Sequence, residues 1–352
     1  TTGNQLSFQK SDGNYFTAIP INGFASVAYE TGLGYYSQFS QIVETLFIEY
    51  NGNRYKLYST NANDIVGDGK VSFSYDSTNG NVLTLNNANI EVIEWLVDND
   101  LTIALNGACS IFNTGHTYAI NYYGNLNIVK ASGATSAELS AGTTYYPPFG
   151  TYGLTLGSGL YLKPISNTST TITEDPDFVL YNGYAMTNGQ TITKGTGTLV
   201  YTVSGSEKTL TFTDFQEAFG DGYGSVNAIE TGIEGLKVIL VGDNTITCND
   251  PDTYAFKGIR DDASIQFVKG GDGCNLTMSM YDNTTNPFNF ADGKITYDEL
   301  VYYSEEKYIA VPTVPTMAAN DDNKVELTVE FSGYSACGEA KIGRAVQQEC
   351  RD

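Results

Sequence analysis

The sequence predicts an all-β protein whose strands stack as the coils of a parallel β-solenoid. The composition, with 37 Gly and 26 Tyr among 352 residues, favours strands and turns over helices. The stretch LTIALNGACSI at 101–111 returns as LKVILVGDNTI at 236–246, displaced by 135 residues. Strand starts also recur at a shorter spacing inside each copy. Together these observations indicate a repeated unit that is itself made of coils.

The repeated stretch is a strand in which Leu101, Ile103 and Leu105 alternate with other residues before a turn at Gly107. Successive strand starts are 13 to 25 residues apart, at Leu83, Leu101, Leu126 and Leu139. This is the spacing of solenoid coils, with Gly, Asn and Asp at the turns. Each inward Leu, Ile, Val or Phe that stacks between coils would contribute roughly 1.5 to 3 kcal/mol.

Tandem antiparallel sandwiches, one per repeat, are the alternative fold. The strand spacings exceed those of most hairpins. The linkers 90–99 and 215–234 differ in length while the flanking strands keep their order. Solenoid loops tolerate such insertions, so the solenoid is the favoured prediction.

Other blocks repeat in the same order, such as EYNGN with Gly52 and LYNGY with Gly183. The repeats divide the chain into successive segments: 1–40 is the C-terminal part of a first unit, 41–165 a second unit, 166–305 a third unit, and 306–340 an unassigned start of a further unit.

The last segment, KIGRAVQQECRD at 341–352, resembles the translation of a sequencing adapter. We therefore expect it to be a non-native tail on an incomplete metagenomic gene, and exclude it from fold reasoning. The alternative is a short basic helical tail. Its removal takes away three basic and two acidic residues, which leaves the remaining chain more acidic still.

The net charge of −22 argues against nucleic acid as a partner, because phosphate binding needs clustered Lys and Arg. Outside 341–352 the only arginines are Arg54 and Arg260. No run of 18 apolar residues exists that could span a membrane. The charge fits a secreted protein that is extracellular or at the cell surface, with any signal and anchor outside this fragment.

Four cysteines remain outside 341–352: Cys109, Cys248, Cys274 and Cys337. They lack CxxC spacing and are too sparse for a disulfide scaffold, so buried free thiols are expected. Cys248 and Cys274 are the best candidates for a bridge, because neighbouring coils are separated by roughly 4.8 Å.

Four stretches carry a resemblance to a known group of proteins: NANDIVGDGKVSF, NVLTLNNANI, DLTIALNGACSI and GNLNIVKASGA. They resemble modules of secreted or surface-attached proteins of gut-type bacteria, often described as carbohydrate-binding or uncharacterised. The resemblance covers most of 41–165 and, more loosely, 166–305. It implies a right-handed β-helix and interaction with glycans or cell surfaces, as in an adhesin, but no catalytic residues. The chain departs from it in the acidic stretch LKVILVGDNTITCNDPD and the insertion at 215–234.

No catalytic constellation is evident. The only histidine, His116, lies in a predicted turn and has no counterpart in the matching CNDPDTYAF, which argues against Ser-His, Cys-His and His-based zinc sites. Carboxylate pairs could still support glycoside cleavage. Adjacent acids such as Asp261 and Asp262 are nevertheless common in an acidic protein, where solvated faces supply them.

Calcium is the one cofactor that we consider. FNFADGKITYDE at 288–299 partly matches an EF-hand loop, but its first and third positions are Phe288 and Phe290, which offer no oxygen ligands. We predict no EF-hand there. Looser calcium sites on acidic turns would use two pairs of carboxylates, Asp64 with Asp68 and Asp250 with Asp252. Solvated turns are the alternative interpretation.

Paired tyrosines are the candidate ligand-binding residues, at Tyr35 and Tyr36, Tyr122 and Tyr123, Tyr145 and Tyr146, and Tyr302 and Tyr303. Flat rings with a polar edge suit stacking on sugars. Adjacent residues of a strand face opposite ways, so one ring of each pair should point outward. Rings on neighbouring coils would then form a binding strip, whereas ordinary sheet packing is the alternative.

The predicted function is a non-catalytic secreted or cell-surface module that binds glycans or serves an adhesive or structural role. Repetition, acidity and the resemblance favour it. The alternative is a β-helical polysaccharide lyase or glycoside hydrolase, which needs carboxylates clustered with Lys or Arg on one face. Only Lys130 and Lys269 recur between units.

Overall fold

The computed structural model describes residues 6–9, 15–18, 29–32, 36–39, 46–57, 61–76, 80–96, 98–115, 117–150, 153–220, 226–282, 284–312, 316–319 and 325–328. Every regular element in these segments is a β-strand. Nowhere in the described segments is there a helix with the length and apolar character needed to cross a membrane. The prediction of an all-β protein is therefore confirmed.

The strands fall into two long series, with short hairpins before and after them. The first hairpins are β1 (Leu6–Gln9) with β2 (Tyr15–Ala18) and β3 (Tyr29–Gly32) with β4 (Tyr36–Phe39). The first series is β5 (Leu46–Tyr50), β6 (Asn53–Lys56), β7 (Val71–Asp76), β8 (Gly80–Asn86), β9 (Asn89–Ile90), β10 (Val92–Trp95), β11 (Leu101–Asn113), β12 (Ile120–Tyr122), β13 (Leu126–Lys130), β14 (Ala137–Thr143), β15 (Leu154–Leu156), β16 (Tyr161–Ser166) and β17 (Ser169–Thr173).

The second series repeats this order. It comprises β18 (Val179–Tyr181), β19 (Tyr184–Ala185), β20 (Thr191–Lys194), β21 (Gly197–Ser204), β22 (Glu207–Thr213), β23 (Gln216–Phe219), β24 (Ile229–Thr231), β25 (Leu236–Val241), β26 (Asp243–Cys248), β27 (Phe256–Gly258), β28 (Ile265–Lys269), β29 (Asn275–Ser279), β30 (Phe288–Asn289), β31 (Ile295–Asp298), β32 (Val301–Tyr303) and β33 (Tyr308–Ala310). A last hairpin joins β34 (Thr316–Ala319) and β35 (Val325–Thr328).

The first series wraps into coils with three sheets. Sheet A stacks β8, the first part of β11, β13 and β15 in parallel, with Leu101 paired to Asn81 on one side and Leu126 on the other. Sheet B stacks β9, the second part of β11 and β14, also in parallel. Sheet C pairs β10 with β12. The chain thus passes through A, B and C once per coil.

The second series builds the same three sheets, A′, B′ and C′. Their parallel strands are β22, β25, β28 and β31 in A′, β23, β26 and β29 in B′, and β24, β27 and β30 in C′. The two series together form a β-solenoid of about seven turns, as the sequence predicts. The right-handedness of the coil and the length of the repeat unit stay predictions.

Antiparallel hairpins cover the ends of both series. In the first series, β7 covers β8, the β5–β6 hairpin covers β10, and the β16–β17 hairpin covers β14. In the second series the β20–β21 and β18–β19 hairpins cover β22 and β24, and the β32–β33 hairpin covers β29. At its start, each series therefore has covered edges in sheets A and C or A′ and C′, and at its end in sheet B or B′, whereas β15 and β31 each pair with one strand among the described residues. The unit boundary predicted after residue 165 falls inside β16.

Each series has its own core of stacked apolar residues. Leu101, Ile103 and Leu105, which alternate along the repeated stretch, are fully buried in the first core. Trp95 is the largest side chain there. The second core is richer in aromatic rings, with Phe256 packed edge-on against Phe267 at 5.3 Å between centroids. Inward stacking between coils is thus the main stabilising interaction.

A small apolar cluster joins the two series. Phe178, Leu180 and Ala185 are buried together, and Tyr161 and Ile259 pack against them. Tyr161 belongs to the hairpin that ends the first series, whereas Leu180 and Ala185 belong to the hairpin that opens the second. The two series are therefore in direct contact through their end hairpins.

The glycine shared by both copies of the repeated stretch has a structural cause. Gly107 and Gly242 both have positive φ, at 79° and 65°. A Cβ atom at Gly107 would lie 2.2 Å from Oδ1 of Asn87, and one at Gly242 would lie 2.0 Å from Oδ1 of Asp214. Each glycine thus lies against a polar side chain of the preceding coil, where no other residue fits without displacement.

The described cysteines are free and buried, at Cys109, Cys248 and Cys274. Cys248 is the last residue of β26, whereas Cys274 precedes the first residue of the neighbouring β29. They therefore lie at opposite ends of adjacent strands and do not form the bridge considered from the sequence. Free buried thiols, the expected interpretation, are what the structure contains. Cys337 lies outside the described residues, as does the tail at 341–352.

Candidate functional site

The tyrosine pairs occupy different environments. Tyr35 lies outside the described residues, and of Tyr36 only its place at the start of β4 is described. Tyr122 is fully buried and Tyr123 is half exposed, so this pair alternates as a strand predicts. The hydroxyl of Tyr122 donates to the carbonyl of Gly150 at 3.2 Å, and burial raises the pKa of Tyr122. Tyr122 is therefore a core residue.

Tyr145 and Tyr146 form the most exposed pair. They lie in the turn after β14, with 62% and 43% of their surface exposed. Thr143 holds this turn, because its Oγ1 accepts a hydrogen bond from the amide of Tyr146 at 3.0 Å and donates one to the carbonyl of the same residue. The amide of Thr144 donates to the carbonyl of Asn113 at 3.2 Å. The turn is thus tied to the preceding coil.

Two further rings lie beside this turn. Tyr118 packs edge-on against Tyr146, with centroids 6.1 Å apart. Phe112 pairs in register with Gly142 and is 53% exposed. A Cβ at Gly142 would lie 2.8 Å from Cδ2 of Phe112, so the ring lies directly on the glycine backbone. We call Phe112, Tyr118, Tyr145 and Tyr146 the aromatic corner.

Sequence reasoning missed Phe112 and Tyr118 because it considered only adjacent tyrosines. The available signal was the pairing of strands: once β11 and β14 are stacked in register, Phe112 lies opposite Gly142. Tyr123 follows β12, whereas Tyr118 precedes it, so Tyr123 lies at the other end of this short strand. The predicted strip of paired tyrosines on successive coils is therefore not what these residues form.

Tyr302 and Tyr303 are packed in the hairpin that ends the second series. Tyr302 stacks on Tyr297 at 6.1 Å and meets Phe288 edge-on at 5.2 Å. Tyr303 stacks on Tyr308 at 6.1 Å. Desolvation raises the pKa of Tyr302. These contacts give this pair a packing role and leave the aromatic corner as the more accessible surface.

The coils around the aromatic corner carry almost no charge. Charged residues make up 16% of the chain, yet residues 101–173 contain only Lys130, Glu138 and Lys163. Lys130 pairs with Glu174 at 2.7 Å, and Nζ of Lys163 lies 5.4 Å from the ring centroid of Phe178. The aromatic corner therefore lies in a neutral region of a strongly acidic protein.

The two lysines that recur between the units each form contacts near the turn that follows their own strand. Lys130 donates to the carbonyl of Thr135 at 3.1 Å as well as to Glu174. Lys269 pairs with Asp272 at 2.8 Å and lies 3.8 Å from Glu299. The hydrogen bond from Lys269 lowers the pKa of Asp272. Both lysines are thus paired with carboxylates near the turns that follow their strands.

The predicted calcium ligands lie on turns, as expected. Oδ1 of Asp64 accepts hydrogen bonds from the amides of Gly67 and Gly69, at 2.9 and 3.0 Å, and Oδ1 of Asp68 accepts one from Lys70. In the described segments no three His, Cys, Asp or Glu side chains group in a way that could hold a metal ion. Asp64 and Asp68 therefore stabilise this turn through these hydrogen bonds.

The other predicted pair differs in burial. Asp250 is buried and its Oδ2 has no hydrogen-bond partner, whereas Asp252 is exposed. The segment 288–299 forms β30, a turn and β31, with Phe288 in the second core. It is part of a solenoid coil and not a helix–loop–helix. His116 lies outside the described residues.

An open cleft of about 550 Å³ lies in the second series, lined by Lys194, Gly195, Thr196, Asp214, Gln216 and Asp243. It brings two carboxylates and a lysine to one face. Oδ1 of Asp214 accepts a hydrogen bond from the amide of Asp243 at 3.1 Å, and Asp243 accepts one from Asn275. Lys194 is paired with Glu217. The three charged groups are thus engaged in contacts with other residues of the second series.

Comparison with known proteins finds no family model, no curated protein and no solved structure that matches this chain. The geometry of the site is therefore the basis for the proposed function.

Proposed function

We propose that the protein is a non-catalytic glycan-binding module of a secreted or cell-surface protein, and that the aromatic corner is its binding surface. The observation that carries the proposal is the exposure of Tyr145, Tyr146 and Phe112 together in coils that are nearly free of charge. Sugars present apolar faces bordered by hydroxyl groups, and aromatic rings with polar edges match both features. Hydrogen bonds of Thr143 and Thr144 fix the turn that holds the two tyrosines, so little ordering is required on binding.

The test is binding of a polysaccharide panel by the wild-type chain and by a Tyr145→Ala, Tyr146→Ala double variant. At about 1 kcal/mol for each stacked ring, the double variant should bind about thirtyfold more weakly. Tyr281→Ala is the matched control, because Tyr281 is 60% exposed but lies in the second series. Circular dichroism and thermal unfolding establish that each variant is folded. Equal affinity of wild type and double variant would remove the aromatic corner from the proposal.

The cleft beside Asp214 favours a second candidate, a β-helical polysaccharide lyase or hydrolase. Such an enzyme needs an acid and a base or nucleophile, which two carboxylates on one face could supply. The existing hydrogen bonds of Asp214 and Asp243 favour a structural role instead. Release of reducing ends or unsaturated products by the wild-type chain, lost in Asp214→Asn and Asp243→Asn, would establish the enzyme.

A further inference from the structure

The outer face of sheet B continues from the aromatic corner as a hydroxyl-bearing surface. Strand pairing places Phe112, Gly142, Ser169 and Ser166 in one row across four strands. It places Ser110, Ser140, Thr171 and Lys163 in the adjacent row. We call the members of these two rows other than Lys163 the hydroxyl face: Ser110, Phe112, Ser140, Gly142, Ser166, Ser169 and Thr171.

The orientation of this face follows from the alternation of burial. Leu139, Ala141 and Ile172 on the same strands are buried in or beside the first core, so the residues between them point away from it. Ser140 and Ser166 are exposed. Adjacent strands are about 4.8 Å apart, so four strands give the face a length of about 14 Å along the stacking direction. This is a surface for an extended ligand.

The face offers hydrogen-bonding groups without charge. Lys163, at the end of its second row, lies over the ring of Phe178, and Glu138 belongs to the next row. The rest of the chain supplies the net charge of −22, which repels polyanions at long range. Lys163, at the end of the second row, is the one cation in these rows that could offset that repulsion. A ligand that suits this surface therefore has hydroxyl groups and no charge.

We propose that the ligand is an uncharged polysaccharide that lies along the hydroxyl face, with one sugar stacked on Phe112 and the aromatic corner at its end. This inference rests on the proposed glycan binding and names its ligand class and track. Gly142 positions the Phe112 ring, because any side chain at 142 would occupy the space in which that ring lies. The serines and Thr171 supply hydrogen bonds along the track.

The first experiment compares ligand classes. Binding of unsubstituted glucans and mannans is measured beside that of a polyuronate of similar chain length, by calorimetry at low and high salt. The inference expects binding of a neutral polymer at an affinity that salt does not change, since screening acts only on charged ligands. Preference for the polyuronate would overturn it while leaving glycan binding in place. Absence of binding to every polysaccharide would overturn the proposed function as well.

The second experiment places a charge on the track. Ser140→Glu puts a carboxylate beneath the ligand, which would have to be desolvated, so the neutral polymer should bind at least about tenfold more weakly. Ser279→Glu is the matched control: Ser279 is also an exposed serine, at the end of β29 in sheet B′. Thermal unfolding confirms that both variants are folded. Equal effects of the two substitutions, or loss only in Ser279→Glu, would overturn the track.

Gly142→Val provides an independent variant. It displaces the Phe112 ring and should weaken neutral-polymer binding as much as Phe112→Ala does. If Gly142→Val proves unfolded, Phe112→Ala alone tests the stacking position, because removal of a half-exposed ring leaves the core intact. Unchanged affinity in Phe112→Ala would overturn the inference.

Discussion

At the scale of single residues, Gly107 shows how one position can couple two coils. It adopts positive φ and lies against the side chain of Asn87. We predict that Gly107→Ala lowers the free energy of unfolding by about 2 kcal/mol, from backbone strain and displacement of Asn87. Gly133→Ala is the control, because Gly133 also has positive φ but nothing lies within 4 Å of its added Cβ. Denaturant unfolding measures both, and equal losses would contradict the packing explanation.

The buried thiols give a second prediction at this scale. Burial raises the pKa of Cys248 to about 12, and desolvation also raises that of Cys109. Since the thiolate is the reactive form, neither residue should react with iodoacetamide at mildly alkaline pH in the folded protein. Both should react in denaturant. Peptide mapping after alkylation tests this, and modification of Cys248 in the native state would contradict it.

At the scale of elements, the β16–β17 hairpin is fastened to the coils by Glu174, which follows it. Hydrogen bonds from Lys130 and from the amide of Ala137 lower the pKa of the Glu174 carboxyl. A carboxylate with a lowered pKa stabilises the fold above its unfolded pKa, and this contribution is lost as the pH falls through the folded pKa.

We therefore predict that Glu174→Gln destabilises the protein at neutral pH and has no effect under strongly acidic conditions. The expected loss is small, because the pair is partly exposed. Urea unfolding at both pH values measures it. Glu138→Gln serves as the control, since Glu138 is an exposed residue of β14. A loss that is independent of pH would show that Glu174 acts by packing alone.

The coil strands could be predicted from the sequence, whereas the end hairpins could not. Leu101, Ile103 and Leu105 alternate with other residues because they face the core, and this alternation is visible in the sequence alone. Alternation is the same in parallel and antiparallel strands, so it gave no sign that β7 or β17 reverses direction. This ambiguity is the reason that tandem antiparallel sandwiches were an alternative prediction.

The candidate site was predicted only in part for a similar reason. Tyr145 and Tyr146 could be named because they are adjacent tyrosines, as in the other recurring pairs. Tyr302 could be named equally well, but its contacts with Phe288 and Tyr297 depend on how successive strands stack. Phe112 resembles an ordinary core residue until its neighbour Gly142 is known. Whether a ring is exposed thus depends on its contacts with residues of the neighbouring coils.

At the scale of the whole molecule, Phe178 lies in the small cluster that joins the two series. It is fully buried between the end hairpins of the two series. We predict that Phe178→Ala costs about 3 to 5 kcal/mol and weakens the coupling, so that calorimetry resolves two transitions where the wild type has one.

Phe267→Ala is the control for this prediction. Phe267 is buried within the second core and touches only its own series among the ring contacts described. Its removal should lower the unfolding temperature of the second series without the coupling loss caused at Phe178. If both variants unfold alike, the cluster around Phe178 is not what couples the two series.

The neutral character of residues 101–173 also has a consequence near a negatively charged surface. Coulomb repulsion from such a surface acts on the acidic parts of the chain and far less on residues 101–173, over a screening distance of about 10 Å at 0.1 M salt. The coils that bear Tyr145 and Phe112 would therefore be repelled least by that surface. Added salt would screen the repulsion and remove the difference between these coils and the rest of the chain.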